Sequence, residues 1–288
     1  MTFRSHNTRF ATAPVLLACL LASGCGGSSS HSAATTPTTP TTPTTTVVPH
    51  PVLPKPAPPV GKPVMPDLAP APPGDIQMQR RGKKWLLRFS SILVNVGKGD
   101  FILRATRHKG GVWHVEQDIP YSKSGARPTV VPARVVWGGD GHHHWHIRRI
   151  AAVRLVPFGA NGKVAFTKKG RIDSKIGFCF YDYNRLLGGP NKPVYSRFLC
   201  GHTRHDTRIG MGLSVGWVDD YSWVLPGQSI DVTTEPDGKY RLYATVDDQH
   251  WFRELTRAND LSWADIELST KPNGARTVRV VNPGPAIH

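Results

Sequence analysis

Four histidines lie within five positions of the chain, in a segment that reads Gly-Gly-Asp-Gly-His-His-His-Trp-His and ends at His146. Successive side chains of a strand point to opposite faces, so a strand here places His142, His144 and His146 on one face. His143 and Trp145 then lie on the other. Three imidazoles on one face can bind one ion if the strand twists, and imidazole suits copper, zinc, iron or nickel. Three protein ligands leave the open position that a catalytic metal requires.

The alternative is a polar edge strand with solvated histidines, since short His-rich tracts also occur as weak metal-binding segments. Asp140 could orient one imidazole from behind, or could simply cap a turn between its two flanking glycines. The periodicity therefore indicates a metal site and leaves the metal and the reaction open.

The histidine segment resembles the His-x-His-aromatic-His copper loop of the lysyl oxidase family. In that family the first, third and fifth positions bind copper. The resemblance implies copper at His142, His144 and His146, the three residues that the strand alternation selects independently.

Two further segments carry the same resemblance. Lysyl oxidases form their cofactor, lysine tyrosylquinone, from a lysine three residues before a Phe-Cys pair and from a tyrosine that follows Gly-Leu-Ser and an aspartate. Here Lys175 precedes Phe178-Cys179 by three residues. Tyr221 follows the Gly-Leu-Ser segment at 212–214 and a pair of aspartates. The resemblance implies that Lys175 and Tyr221 form this cofactor and are the catalytic residues.

The implied activity is copper-dependent oxidation of a primary amine, either a protein lysine side chain or a small amine. It consumes dioxygen and yields an aldehyde, ammonia and hydrogen peroxide. Taken singly, Lys175 is more typical of a surface charge and Tyr221 of a core aromatic, and Lys168 and Lys169 are rival lysines. Two other functions stay open: a non-catalytic copper-binding surface lipoprotein with the same fold, and an adhesion module with an incidental histidine tract.

Shorter matches spread the resemblance over most of residues 65–269, and the chain also departs from the family. The matching segments are Met65–Leu68, Leu86–Phe89 with the following Asn95, Gly97 and Asp100, Phe198–Cys200, Gly238–Tyr240 and Asn259-Asp260. Trp217 and Ala264 stand where the animal enzymes have cysteines. The segment before His142 is rich in glycine instead of Trp and His, and residues 108–136 have no match.

The N-terminus predicts export. Arg4 and Arg9 precede a short apolar stretch at 11–22, too short for the ~20 apolar residues of a membrane span, so residues 1–24 are predicted to be a signal peptide. Leu-Ala-Ser-Gly before Cys25 resembles a bacterial lipobox. It implies lipidation of Cys25 and an extracytoplasmic protein anchored in the membrane at the cell surface. A plain signal peptide cleaved nearby is the alternative.

Two cysteines remain once Cys19 is removed with the signal and Cys25 is lipidated. In an exported protein the pair Cys179 and Cys200 indicates a disulfide, with a pair of soft metal ligands as the alternative.

The chain is strongly basic, with a formal charge of +16. Removing Arg4 and Arg9 leaves 34 basic and 20 acidic residues, or +14. Nucleic acid is not an expected partner, because an exported protein rarely meets it and the basic residues are scattered; an anionic membrane or wall surface fits better. This charge opposes a cationic amine at long range. A local acidic pocket could offset it, formed by Asp219, Asp220, Asp247 and Asp248, although turn and surface roles fit these residues as well.

The elements that must position these residues are short strands. Residues 25–64 contain a Thr-Thr-Pro repeat and many prolines, typical of a disordered, semi-rigid linker, and residues 65–288 form one domain. Frequent strand patterns predict an all-β, antiparallel, β-sandwich-like domain with long loops and little helix. Predicted strands cover 84–94, 101–105, 150–156, 164–166, 229–232 and 240–246, and one helical turn is predicted at 182–187.

Overall fold

A computed structural model describes residues 50–138, 143–164 and 172–287, with the backbone alone for 172–175. The described part contains sixteen strands and one short 3₁₀ helix, and every strand pair is antiparallel. The predicted all-β class is confirmed. The elements are β1 (Leu68–Pro70), β2 (Gly74–Arg81), β3 (Lys84–Asn95), β4 (Phe101–Arg107), β5 (Trp113–Pro120), β6 (Ala126–Val131), β7 (Val135–Trp137), β8 (Trp145–Pro157), β9 (Ile172–Phe178), β10 (Asn184–Arg185), the 3₁₀ helix (Arg197–Cys200), β11 (Arg208–Leu213), β12 (Trp217–Tyr221), β13 (Ser229–Asp231), β14 (Gly238–Val246), β15 (Leu261–Thr270) and β16 (Arg276–Asn282).

The strands form three sheets. The first runs β1-β3-β12-β10, with β2 and β13 also paired to β3. The second runs β11-β4-β5-β6, and the third β16-β15-β14-β8-β7, with β9 also paired to β8. None of the described residues forms a helix of the length and apolarity that crossing a bilayer needs.

One hydrophobic core joins residues of all three sheets. In β14 the side chains of Tyr240, Leu242, Ala244 and Val246 are buried while the residues between them are partly exposed, the period-two pattern of a strand with one face on a core. Phe101 of the second sheet meets the Phe252 ring edge-on, with centroids 5.0 Å apart. Burial of such apolar surface is the main favourable contribution to this fold.

Most predicted strands lie where their patterns placed them, and the histidine strand is longer than expected. β3, β4, β13 and β14 contain or closely match the predictions, and β8 extends the predicted 150–156 back to Trp145, so that it includes His146. Within the predicted strand 164–166, Val164 forms a bridge with Phe158, while 165 and 166 lie outside the described residues. The unassigned segment 108–136 supplies β5, β6 and the start of β7.

The helical turn predicted at 182–187 is wrong. Asn184 and Arg185 form β10, which pairs with Val218 and Trp217 of β12. A strand forms here because backbone partners are available on β12, and six residues are too few to stabilise a helix by local hydrogen bonds alone.

The second half of the predicted linker lies against the folded domain. Val60 and Pro63 form bridges with Ser124 and Tyr121, and the amide of Ala126 donates to the Ala57 carbonyl. A proline-rich chain has no internal hydrogen bonds, so its carbonyl groups are free to bond a neighbouring sheet edge. The folded unit therefore begins upstream of Met65.

Asn95 fixes the turn between β3 and β4. Its buried side-chain amide donates to the carbonyls of Gly99 and Leu213, and its oxygen accepts the amides of Asp67 and Gly97. A Cβ on Gly97 would lie 2.4 Å from the Asp67 nitrogen, so only glycine fits. The segments at Met65–Leu68 and Asn95–Gly97, both part of the family resemblance, therefore contact each other directly.

The side chain of Asp182 also holds loops together, beside β10 and β12. Its buried carboxylate accepts the backbone amides of Val194, Tyr195 and Ser214 and the Ser214 hydroxyl, at 2.7–3.2 Å. Three loops are thereby joined at one side chain, directly before the strand that carries Tyr221.

Replacing Asp182 by alanine should lower the free energy of unfolding by about 3 kcal/mol or more, since each buried donor left without an acceptor costs roughly 1–3 kcal/mol. Urea unfolding followed by fluorescence measures it. The control is Asp248→Ala at an exposed aspartate that accepts only the Gln249 side chain among the described residues, where about 0.5 kcal/mol or less is expected. Equal losses in the two variants would contradict the role given to Asp182.

Candidate functional site

His144 and His146 lie at the start of β8 with their rings together. Their Nε2 atoms are 2.9 Å apart and the ring centroids 4.6 Å apart. His146 is buried and His144 is partly exposed. The two imidazoles share one side of the chain, as the alternation predicts. The third predicted ligand, His142, and the neighbouring Asp140 lie outside the described residues.

The alternate positions of this segment face elsewhere. His143 is exposed. Trp145 is buried against Trp113 and Trp137, with ring centroids 4.9 and 5.2 Å away, and its indole N–H donates to the Thr203 carbonyl. This aromatic cluster fixes the strand so that His144 and His146 must lie on its other side. Trp113 comes from β5, in the region that the sequence left unassigned.

Tyr221 is the last residue of β12, where it pairs with Ser91 of β3. Its ring is buried, 4.1 Å from the Phe178 ring and 6.1 Å from the His146 ring by centroids. The backbone N–H of Cys179 donates to its phenol oxygen at 3.0 Å. The predicted tyrosine thus lies beside the predicted metal ligands, although 75 residues separate it from His146.

Lys175 lies on β9, opposite Ala152 of β8. Its side chain is outside the described part of the structure, so its position is given by register alone. A Cβ built on Gly177 would lie 3.1 Å from the His146 Cβ, so β9 passes next to His146 two residues after Lys175. Any side chain at 177 would crowd His146, a role for this glycine that the sequence did not signal.

The two remaining cysteines form a disulfide, as predicted for an exported protein, and the alternative of two soft metal ligands is wrong. The bond joins the end of β9 to the 3₁₀ helix. Cys179 therefore holds two groups at once: its sulfur binds Cys200, and its amide donates to Tyr221.

Two aspartates precede Tyr221 on opposite faces of β12. Asp219 shares the face of Tyr221 and is completely buried, without an ion-pair partner among the described residues. Burial, then the nearby carboxylates of Asp220 and Asp182, raise its pKa well above the usual range. Burial and the charge of Asp75 raise the pKa of Asp220 to about 6. The sequence showed the two aspartates, but only the fold shows that one of them is buried.

Asp247 and Asp248 do not form an acidic substrate pocket. The Asp247 carboxylate accepts the amides of Trp251 and Phe252 and pairs with Arg257, so it closes a loop, and Asp248 is exposed. Arg257 also pairs with Glu254 and Asp260. Burial, with the charges of Asp260 and Asp247, raises the pKa of Glu254 to about 8, although Arg257 and the hydrogen bond from the Leu68 amide act in the opposite direction.

Within the described ranges, no group of three or more His, Cys, Asp or Glu side chains is arranged to hold a metal ion. The structure thus brings together two of the three predicted ligands, the predicted tyrosine and the strand of the predicted lysine. No protein-family model matches the sequence, and no curated protein matches it. The lysyl oxidase relationship therefore stays a prediction from the residues quoted above.

Replacing Asp219 by asparagine should change how stability depends on pH. The folded-state pKa of Asp219 is raised, so between about pH 4 and that pKa the folded state binds more protons than the unfolded state. Asp219 should therefore make stability fall with rising pH in this window, by up to about 1.4 kcal/mol per pH unit, in addition to the falls from Asp220 and Glu254. Asparagine does not titrate and should remove the contribution of Asp219. Urea unfolding from pH 4 to 8 measures both proteins; a parent-minus-variant difference that is constant with pH would contradict the assignment.

Proposed function

We propose that this chain is a copper-dependent amine oxidase of the lysyl oxidase type. It would oxidise a primary amine, on a protein lysine side chain or a small molecule, to an aldehyde with release of ammonia and hydrogen peroxide. The observation that carries the proposal is the buried phenol of Tyr221 beside the paired imidazoles of His144 and His146.

The imidazole pair fits a copper ion. The Nε2–Nε2 separation is 2.9 Å, close enough for both nitrogens to bind one ion. Imidazole nitrogen is a ligand that suits copper. His144 and His146, with His142, would hold the ion. A hydrogen bond between two imidazoles has the same separation, so metal binding must be measured directly.

Lys175 and Tyr221 would form the cofactor, lysine tyrosylquinone. That group, when present, supplies a carbonyl to which a primary amine can add and an acceptor for its two electrons. The chain's own contribution is position. The Cys179 N–H holds the Tyr221 oxygen, and the Phe178 ring packs against the Tyr221 ring. Both contacts orient the phenol next to His146 and exclude water from one of its faces.

The chemistry would take place outside the cytoplasm. We infer a lipoprotein anchored through Cys25, with residues 1–24 removed and part of residues 25–64 as a spacer. The Cys179–Cys200 disulfide supports this, because disulfides persist in exported proteins and are rare in the cytoplasm. The proposed partners are a primary amine and dioxygen, the membrane through the lipid, and no nucleic acid.

A second function, a copper-binding surface lipoprotein without turnover, is favoured by one contact. The hydrogen bond from the Cys179 amide to the Tyr221 oxygen is also what a purely structural tyrosine would make. The two functions share the metal site and differ in the covalent cofactor, so the metal and the cofactor need separate experiments.

Copper titration of the full chain tests the metal site. We expect His144→Ala and His146→Ala each to weaken copper binding by about a hundredfold, since removing one of three ligands costs several kcal/mol. The matched control is His143→Ala, an exposed neighbour on the other side of the chain, which should leave the affinity within about twofold. Equal losses in all three variants, or weak copper binding by the parent chain, would favour an incidental histidine tract.

Copper loading in air tests the cofactor. The parent protein should develop a visible quinone absorption band and a mass change that peptide mapping assigns to a Lys175–Tyr221 cross-link, and should release peroxide with primary amines. Lys175→Ala and Tyr221→Phe should abolish band and cross-link while copper still binds. Lys168→Ala and Lys169→Ala are the matched lysine controls and should keep both signals. Tight copper binding without band, cross-link or peroxide would reject the oxidase and leave the non-catalytic lipoprotein.

A further inference from the structure

A cavity of about 390 Å³ opens beside β8 on the far side of the bulge that follows His146. Its walls are Pro132, Arg134, Arg148, Arg149, Gln249 and Trp251. Among the described residues, three arginines and no acidic residue line it. Arg134 and Arg148 are exposed and Arg149 is half-buried, so like charges converge on this surface cavity without a carboxylate in its lining.

Within the described part of the chain, none of the three arginines forms an ion pair, and Arg149 Nε is buried without a hydrogen bond. In the neighbouring loop the Asp247 carboxylate is used by Trp251, Phe252 and Arg257, and the exposed Asp248 accepts the Gln249 side chain. A buried donor without a hydrogen bond destabilises the folded state, and a ligand that accepts its hydrogen bond would remove that penalty.

The backbone is shaped to put these arginines in place. Between the pairs Ile147–Phe178 and Ala151–Ile176, β8 contains two residues more than β9, so it bulges at residues 148–150. Arg149 adopts φ +57°, a left-handed conformation that costs free energy for any residue but glycine. The amide of Arg148 meanwhile donates to the Arg134 carbonyl, which brings the third arginine alongside. Bulges of this kind commonly re-aim side chains at functional sites.

The opposite wall is a strained loop. Asp247 and His250 have φ of +42° and +54°, and the loop that they bend presents Gln249 and Trp251 to the cavity. A half-buried indole offers a flat surface and the Gln249 amide offers a donor and an acceptor. The volume exceeds what one phosphate or sulfate ion fills and is in the range of small-molecule sites.

We propose that this cavity, the arginine pocket (Arg134, Arg148, Arg149, Gln249 and Trp251), binds a phosphate or carboxylate group carried on a small polar molecule of sugar size. The arginines bind the oxoanion through paired N–H donors, the geometry for which guanidinium is suited. Trp251 and Gln249 contact the rest of the ligand. Anion binding here requires neither copper nor oxidase activity.

Calorimetric titration of the full chain at about 0.15 M salt tests the pocket, with glucose 6-phosphate, glucuronate, inorganic phosphate and neutral glucose as probes. At least one of the two charged sugars should bind more tightly than inorganic phosphate, and glucose should not bind. The two charged sugars distinguish phosphate from carboxylate. If neither charged sugar binds, or if inorganic phosphate binds as tightly as the better of them, the proposal is overturned.

Variants locate the binding. Arg149→Asn introduces a residue that tolerates positive φ and should weaken binding of the probe by about tenfold or more. The double variant Arg134→Gln/Arg148→Gln, at exposed positions, should weaken it by a similar factor. Arg81→Gln removes the same charge from exposed β2 in another sheet and should change affinity by about twofold or less. If Arg81→Gln weakens binding as much as the pocket variants, the attraction is general charge and the pocket is rejected.

Discussion

The hydrogen bond from the Cys179 amide to the Tyr221 phenol joins parts of the molecule that the sheets do not join. Tyr221 ends β12 of the first sheet, and Cys179 follows β9 of the third. The disulfide to Cys200 fixes the donor, and the pairing of β12 with β3 fixes the acceptor. Since β9 also pairs with β8, this one contact sets the distance between the phenol and the histidines. The candidate site therefore depends on how two sheets meet, more than on either sheet alone.

The features that the sequence predicted correctly depend on residues close together in the chain, and those that it missed depend on residues far apart. Alternation is local, so the common side of His144 and His146, with Trp145 on the other side, followed from spacing. The disulfide followed from the cysteine count and the predicted export. The one-turn helix at 182–187 failed because the partner that turns Asn184 and Arg185 into a strand, β12, lies more than thirty residues away. β5 and its Trp113 could not be related to the site, because only the folded structure brings Trp113 against Trp145.

The surroundings of the acidic residues could not be predicted from the sequence either. Asp219, Asp220, Asp247 and Asp248 look alike in the sequence. In the fold, Asp219 is wholly buried beside other carboxylates and Asp220 is partly exposed. Asp247 closes a loop through two amides and a guanidinium, and Asp248 is exposed. Composition fixed their charge, whereas desolvation and neighbours decide whether that charge persists. Thus the offset to the basic surface that a cationic amine would need is not a shared acidic pocket, and Asp219 is the carboxylate nearest to Tyr221 along the same strand face.

β8 carries residues of two proposed sites that bind opposite charges, the oxidase site for a cationic amine and the arginine pocket for an anion. His146 precedes the bulge in this strand and Arg148 and Arg149 lie within it, so the arginine pocket begins within about 10 Å of the histidines along the chain, close to one Debye length. Empty, the pocket adds positive potential that opposes the approach of an alkylammonium ion. Occupied by an oxoanion, it is partly neutralised, and the same ion approaches at lower cost. The proposed pocket and the proposed oxidase site are therefore independent in structure but coupled through charge, and the sign of the coupling is fixed: anion binding favours a cationic substrate.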